Sequence, residues 1–159
     1  MPAKADSRDA TPVAELRALI ERTDAKHQKL FRSVRAALGK RLPAANELVY
    51  DYATFFGITY SPTVKPYDAI LTLSARTDGV RLYFLHGPQL PDPKQILRGT
   101  GKETRYVQKE AASQLGHADV EALIAAAIDR ATVVMPSNGK GALIIKSTTA
   151  KKRARKAGK

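Results

Sequence analysis

The sequence predicts an α+β fold in two layers, with an antiparallel meander sheet of about five strands flanked by N-terminal helices and one C-terminal helix. Three observations support this prediction: a helical apolar pattern near each end of the 159-residue chain, strand-type segments between them, and a hairpin signal at Asp78-Gly79. Apolar residues make up 43% and charged residues 26% of the chain, as in a globular domain. Cysteine is absent, which excludes disulfides and thiolate-based metal sites.

The first part of the chain predicts helices. Thr11 is a suitable cap for a helix whose first residue is Pro12, because proline fits that position. A second helix start is predicted at Thr23, and Gly39 is predicted to end this helix. Its apolar stripe consists of Leu30, Phe31, Val34 and Leu38. The basic residues between them are interpreted as a solvated helix face, with a strip that follows phosphates as the alternative: Lys26, Lys29, Arg32 and Arg35. A short helix is predicted over 44–49, after a proline.

The middle of the chain predicts strands. Residues 50–61 are aromatic and β-branched, which favours one strand. Residues 69–76 and 80–86 flank Asp78-Gly79 and predict a hairpin in which Thr77 pairs with Val80. One apolar face then holds Leu71, Leu73, Ala75, Leu82, Phe84 and His86, and the other holds Thr72, Ser74, Arg76, Arg81, Tyr83 and Leu85. We expect His86 to be buried and hydrogen-bonded to a loop carbonyl.

The last part of the chain continues the α+β pattern. Residues 87–101 are rich in proline and glycine and predict a loop, with one helical turn at 94–97. A strand is predicted over 103–109, and Asp119 is predicted to cap a helix that continues to residue 131. A last short strand is predicted over 142–146.

The net charge of +12 is unevenly distributed, because eight of the 27 basic residues and no acidic residue lie in 140–159. This pattern predicts a disordered N-terminus over 1–10, a single domain over 11–148 and a disordered basic tail over 149–159. The tail is predicted to give weak, non-specific nucleic-acid affinity through Lys151, Lys152, Arg153, Arg155, Lys156 and Lys159. A second interpretation is that the tail only increases solubility and has no dedicated partner. A third interpretation is attraction to a membrane surface.

Nothing in the sequence indicates a membrane protein or a secreted one. The first ten residues lack the apolar core of a secretory signal, and the longest apolar run, 122–128, is too short to span a bilayer. We therefore expect a cytoplasmic protein without membrane association.

Residues 82–105 resemble the YdhG-like family of small bacterial domains, most of them of unknown function. The resemblance consists of an aromatic strand that ends in glycine, a short loop with leucine, and a Gly-x-Gly-Lys-x-x-Arg pattern before the next strand. These features are carried by Tyr83, Phe84, Gly87, Leu90, Leu97, Gly99, Gly101, Lys102 and Arg105. A less specific match extends over about residues 42–147.

The resemblance implies a helix-flanked antiparallel sheet and, for a few family members, a frataxin-like role as iron carriers. It implies no general set of catalytic residues. The chain departs from the family at residues 50–53, where many relatives have a Tyr-Gly-Met-Pro-like turn and this chain has Tyr-Asp-Tyr-Ala. It is therefore similar to a divergent branch.

Two groups of residues are candidates for ligand binding. The Gly99-Thr-Gly101-Lys102 turn lacks the spacing of a phosphate-binding NTPase loop, but its amides with Arg98, Lys102 and Arg105 suit a small anion. Tyr83 between Arg76 and Arg81 is similar to base-stacking sheets, but these usually carry two or three aromatic residues, so arginine stems packed on the ring are the preferred interpretation. The full candidate set is Tyr83, His86, Arg98, Gly99, Gly101, Lys102 and Arg105.

The sequence therefore predicts a non-enzymatic binding domain that contacts a small anionic ligand or a protein partner through residues 87–105. An iron-binding chaperone is an alternative that depends on the resemblance, since the positive charge of the chain repels cations. An enzyme with a site around His86 and Arg105, completed by a carboxylate such as Asp92, is another. No cofactor and no metal site is predicted from the residues themselves.

Overall fold

A computed structural model describes residues 11–109 and 118–147. The helices are α1 (Pro12–Glu21), α2 (Ala25–Arg41) and α3 (Ala118–Arg130), and the strands are β1 (Asn46–Asp51), β2 (Phe56–Ser61), β3 (Leu71–Arg76), β4 (Gly79–Phe84), β5 (Arg105–Lys109) and β6 (Leu143–Ser147). These elements confirm the predicted α+β class. The predicted termini at 1–10 and 149–159 lie outside the described residues. None of the helices in the described ranges is long and apolar enough to cross a bilayer.

The six described strands form one sheet in the order β5-β4-β3-β2-β1-β6. Neighbours from β1 to β5 are antiparallel, as predicted, whereas β6 lies parallel to β1 at the edge. The Asn46 side chain helps to hold this edge, because its Oδ1 accepts a hydrogen bond from the Ala142 amide at 2.9 Å. Strand β6 is the one predicted over 142–146, but its parallel pairing differs from the predicted antiparallel meander.

All three helices bury their apolar residues against one face of the sheet. The buried residues of α1, α2 and α3 belong to a single cluster with the apolar residues of the strands, among them Phe31, Leu73, Leu82 and Ile124. The side chains of Arg81, Tyr83 and Tyr106 alternate with core residues along β4 and β5 and therefore point to the opposite face. We call this opposite side the helix-free face.

The hairpin exists, but its two-residue turn begins one residue earlier in the chain than predicted. Arg76 pairs with Gly79, so Thr77 and Asp78 form the turn instead of Asp78 and Gly79. A positive φ occurs in this turn region at Gly79 alone. Because the pairing changes by two positions, the face of every strand residue is preserved. The predicted division between core and helix-free face is confirmed for the residues of β3 and β4, but not for His86, which lies beyond β4.

Several predicted boundaries are wrong for identifiable reasons. Helix α2 continues through Gly39 because Leu38 and Leu42 are both buried and continue its apolar stripe. The helix predicted over 44–49 is strand β1, which has pairing partners on both sides. The single strand predicted over 50–61 is divided after Asp51, whose carboxylate accepts a hydrogen bond from the Ala53 amide and stabilises a turn. The start of α2 is at Ala25 rather than at Thr23.

Candidate anion-binding site

The loop after β4 folds back onto β5 through a close contact between Gly87 and Arg105. A Cβ atom at Gly87 would lie 2.4 Å from the Arg105 Cβ, so a side chain does not fit there. The Gly87 amide donates a hydrogen bond to the Glu103 carbonyl at 3.1 Å. Gly87, one of the residues that carry the family resemblance, thus positions the loop.

The carboxylate of Asp92 folds the centre of the loop. Its two oxygens accept hydrogen bonds from the amides of Ile96 and Leu97, each at 2.9 Å. The helical turn predicted over 94–97 is therefore replaced by a turn built around this side chain. Asp92 has a structural role here and does not approach His86 or Arg105 in the described contacts.

The predicted ligand-binding residues do not all meet in one place. Arg98 pairs with Tyr106 of β5 through two backbone hydrogen bonds, and Gly99 adopts a positive φ of 104° beside the Tyr106 ring. The Arg105 Nε donates to the Gly101 carbonyl at 2.9 Å, and Lys102 is exposed in the same turn. Arg98 and Tyr83 are thus brought together through Tyr106, whereas Arg105 alternates with Tyr106 and belongs to the other face of β5.

The expectation that His86 is buried is wrong. His86 is exposed, has a left-handed backbone with φ 58°, and follows the end of β4. It lines a water-sized cavity of about 20 Å³ with Ala127 and Arg130 of α3. The apolar face of β4 ends at Phe84, so the chain turns away before His86 can enter the core.

An open groove lies where the start of α2 meets the hairpin turn and β5. We call it the anion groove; its volume is about 610 Å³ and it is lined by Lys26, His27, Leu30, Asp78, Gly79, Arg81, Arg98, Tyr106 and Gln108. Three of these side chains carry a positive charge and one carries a negative charge at neutral pH with histidine neutral. The groove therefore has a positive field that favours anions.

Four contacts hold the guanidinium of Arg81 in place. Its Nη2 lies 2.5 Å from Asp78 Oδ2, its Nε donates to Gln108 Oε1 at 3.0 Å, and its Nη1 donates to the Tyr83 hydroxyl at 3.0 Å. The same group lies over the Tyr106 ring, 4.2 Å from its centroid. Partial burial opposes the charge, but the interactions with Tyr83 and Asp78 outweigh it and raise the pKa of Arg81.

Two carboxylates of β1, a side-chain type that metal ions prefer, are instead paired with arginines. Glu47 and Asp51 share one face of β1, on the helix-covered side. Glu47 receives two hydrogen bonds from Arg35, each at 2.9 Å, and Asp51 receives two from Arg22 at 2.9 and 3.2 Å. No group of three or more potential metal ligands occurs within residues 11–109 and 118–147.

The sequence interpretation missed several residues of the groove. Tyr106 and Gln108 had a usable signal, because a predicted strand over 103–109 with Val107 in the core places both on the helix-free face. Lys26 belongs to the basic helix face for which a phosphate-following strip is the alternative interpretation, whereas His27 had no signal. The position of both at the groove depends on how α2 crosses the sheet.

Comparison with known proteins adds no further assignment: no family model, curated protein or solved structure matches this chain. The likeness to the YdhG-like family accordingly stays a prediction, and the function has to be argued from the groove itself.

Proposed function

We propose that this protein is a binding domain, rather than an enzyme, and that it holds a phosphate-containing anionic ligand in the anion groove. The observation that carries the proposal is the convergence of cations from three separate segments. Lys26 comes from α2, Arg81 from β4 and Arg98 from the loop before β5. Such an arrangement surrounds a ligand from several sides.

The three cations offer different interactions to an anion. Arg81 is held rigidly, which lowers the entropic cost of binding. Lys26 and Arg98 are exposed, and neither forms a salt bridge with a carboxylate of the described residues. Their charges therefore remain available, and the planar guanidinium of Arg98 suits two phosphate oxygens at once.

The proposal places the ligand differently from the interpretation based on sequence alone. It keeps Arg98 and moves the centre of the site from Lys102 and Arg105 to the groove beside Tyr106. Contact of residues 87–105 with a protein partner and nucleic-acid binding by the basic tail stay predictions. Among the described contacts, nothing favours iron carriage or catalysis around His86 and Arg105.

Inorganic pyrophosphate tests the proposal, with binding measured by calorimetry at low salt. Arg98→Glu is expected to weaken binding about tenfold or more, because it removes a charge-assisted hydrogen bond and places a negative charge in the groove. The matched control is Lys102→Glu, which makes the same charge change on an exposed residue of the same loop outside the groove. Equal losses in the two variants would contradict the proposed site.

A second matched pair tests the helix side of the groove. Lys26→Glu and Lys29→Glu both reverse an exposed charge on α2, but only Lys26 lines the groove. We expect Lys26→Glu to weaken pyrophosphate binding clearly more than Lys29→Glu does. A groove that tolerates both reversals equally would count against the proposal.

A further inference from the structure

Aromatic rings and arginines alternate across the helix-free face, beginning at the anion groove. We call this set the aromatic–arginine stripe; it consists of Tyr106, Arg81, Tyr83, Arg76, Phe55 and Tyr52. The Tyr83 and Tyr106 rings lie 5.3 Å apart between centroids. Arg76 lies 4.1 Å from the centroid of Phe55, and its Nη1 is 3.4 Å from the Tyr83 hydroxyl.

The far end of the aromatic–arginine stripe is a pair of stacked rings. Tyr52 and Phe55 lie 4.7 Å apart between centroids with an interplanar angle of 25°, and the Tyr50 and Tyr52 centroids lie 6.2 Å apart at 18°. Tyr52 is 47% exposed, which is unusual for a large aromatic residue with two stacked neighbours. The rings are thus held in parallel planes at the protein surface.

The two arginines of the aromatic–arginine stripe differ, because Arg81 is paired with Asp78 whereas the charge of Arg76 has no carboxylate partner among the described residues. Arginine stems that merely cover an aromatic surface explain the packing on Phe55, but not an arginine without a carboxylate partner so close to the exposed Tyr52 ring. Both features together indicate a ligand that brings flat rings and negative charges.

We infer that the aromatic–arginine stripe binds single-stranded nucleic acid, with a base against the exposed Tyr52 ring and the backbone phosphates on Arg76, Arg81 and the anion groove. A duplex does not offer this chemistry, because its bases are stacked on one another and cannot reach the rings. The inference deepens the proposed function and rests on it at one end, where the groove takes a phosphate of the same strand.

The dimensions of the sheet suit a short segment of such a strand. From Tyr52 beside β1 to Tyr106 on β5 the stripe crosses four strand spacings of about 4.8 Å, a span of about 19 Å. This length matches a site of a few nucleotides, at the lower end of the range for sheet-based single-strand binders.

Fluorescence anisotropy of the full chain with labelled twelve-nucleotide single strands and the corresponding duplex tests the inference. Tyr52→Ala is expected to weaken single-strand binding about tenfold, the usual effect of losing one stacked base. Binding of the duplex is expected to stay unchanged, and Tyr52→Phe is expected to restore single-strand binding because the ring is retained. Tyr67→Ala is the matched control, since Tyr67 is 67% exposed and lies outside the stripe.

Equal effects of Tyr52→Ala and Tyr67→Ala on single strands, or the same loss on the duplex, would overturn the inference. Arg76→Gln gives an independent readout: the slope of log affinity against log salt is expected to become shallower by about one phosphate contact. DNA and RNA of the same sequence are compared in parallel. Tighter binding of RNA would show that the 2′-hydroxyl is contacted, and equal binding would show that the site accepts RNA and DNA alike. Both results support the stripe.

The two proposals fail separately. If pyrophosphate binding depends on Arg98 but oligonucleotide binding does not depend on Tyr52, the groove stands and the nucleic-acid inference falls. If oligonucleotide binding depends on Tyr52 while Arg98→Glu and Lys102→Glu are equivalent, the proposed groove falls.

Discussion

Tyr60 shows how single residues stabilise the helix-covered face. Its side chain is 1% exposed, and its hydroxyl donates a hydrogen bond to Glu47 Oε2 at 3.0 Å. Glu47 is also held by Arg35 from α2, so one carboxylate joins a helix to two strands. Burial, together with the negative charge of Glu47, holds the pKa of Tyr60 well above its ordinary value.

The raised pKa of Tyr60 predicts a loss of stability at high pH. The native state keeps the hydroxyl proton more tightly than the unfolded chain, so this contribution is complete below about pH 10 and is lost as the pH rises further. Tyr60→Phe is expected to lower the unfolding free energy at pH 8 by about 1 kcal/mol, through the lost hydrogen bond. It is also expected to make the decline above pH 10 less steep.

Urea unfolding at pH 8 and above pH 10 measures both effects. Part of the decline is expected to remain in the variant, because burial also raises the pKa of Tyr50 and Tyr52. An unchanged decline in Tyr60→Phe would show that the buried hydroxyl is not its source.

At the scale of elements, the two glycines Gly39 and Gly141 have opposite roles. Gly39 lies within α2, and a Cβ atom there would meet nothing within 4 Å. Gly141 lies just before β6, and a Cβ atom there would be 1.7 Å from the Ala45 carbonyl oxygen. Its amide also donates a hydrogen bond to the Pro43 carbonyl at 2.9 Å. Gly141 thus permits the close backbone approach that brings β6 beside β1.

These contacts predict opposite effects of the same substitution. Gly39→Ala is expected to raise the unfolding free energy by about 0.5–1 kcal/mol, because alanine is the better helix former. Gly141→Ala is expected to lower it by about 2 kcal/mol or more, since rigid backbone atoms must move. Thermal unfolding of both variants measures the difference; a neutral Gly141→Ala would contradict the close approach of the two segments.

The elements also show what the sequence can and cannot predict. Alternation along β3 and β4 sufficed to place Leu73 in the core and Tyr83 on the helix-free face, because face assignment survives an error of two residues in register. The register itself depended on where the positive φ falls, at Gly79 rather than at both turn residues.

The candidate site was harder to predict, because its parts are distant in sequence. Phe55 was hidden within a single predicted strand, since the turn before it depends on the side chain of Asp51. The position of Lys26 beside Arg98 follows from the packing of α2 over the sheet, which no local pattern encodes.

At the scale of the whole molecule, two regions of the chain carry concentrated positive charge. One is the anion groove with the aromatic–arginine stripe, and the other is the basic tail that the sequence predicts over 149–159, outside the described residues. Both are expected to attract polyanions by releasing counterions, and the stripe is expected to add contacts with bases. The two regions therefore differ in how their affinity responds to salt and to strand type.

Truncation after residue 148 separates the two contributions. We expect the truncated protein to lose most of its duplex DNA binding and to show a shallower salt slope, because the tail supplies non-specific phosphate contacts. Single-strand binding is expected to decline less, since the described residues retain Tyr52 and Arg76. Titrations at several salt concentrations measure both slopes; identical duplex binding by the full chain and the truncated protein would contradict a role for the tail.

The parallel pairing of β6 with β1 has a consequence for synthesis of the protein. Asn46 and Ala142, which meet at this edge, are separated by 96 residues. While the ribosome is still translating the middle of the chain, β1 has β2 on one side and an unpaired edge on the other. Completion of the sheet has to wait until Ser147 emerges, and such long-range closure favours slow folding and exposes nascent chains to aggregation.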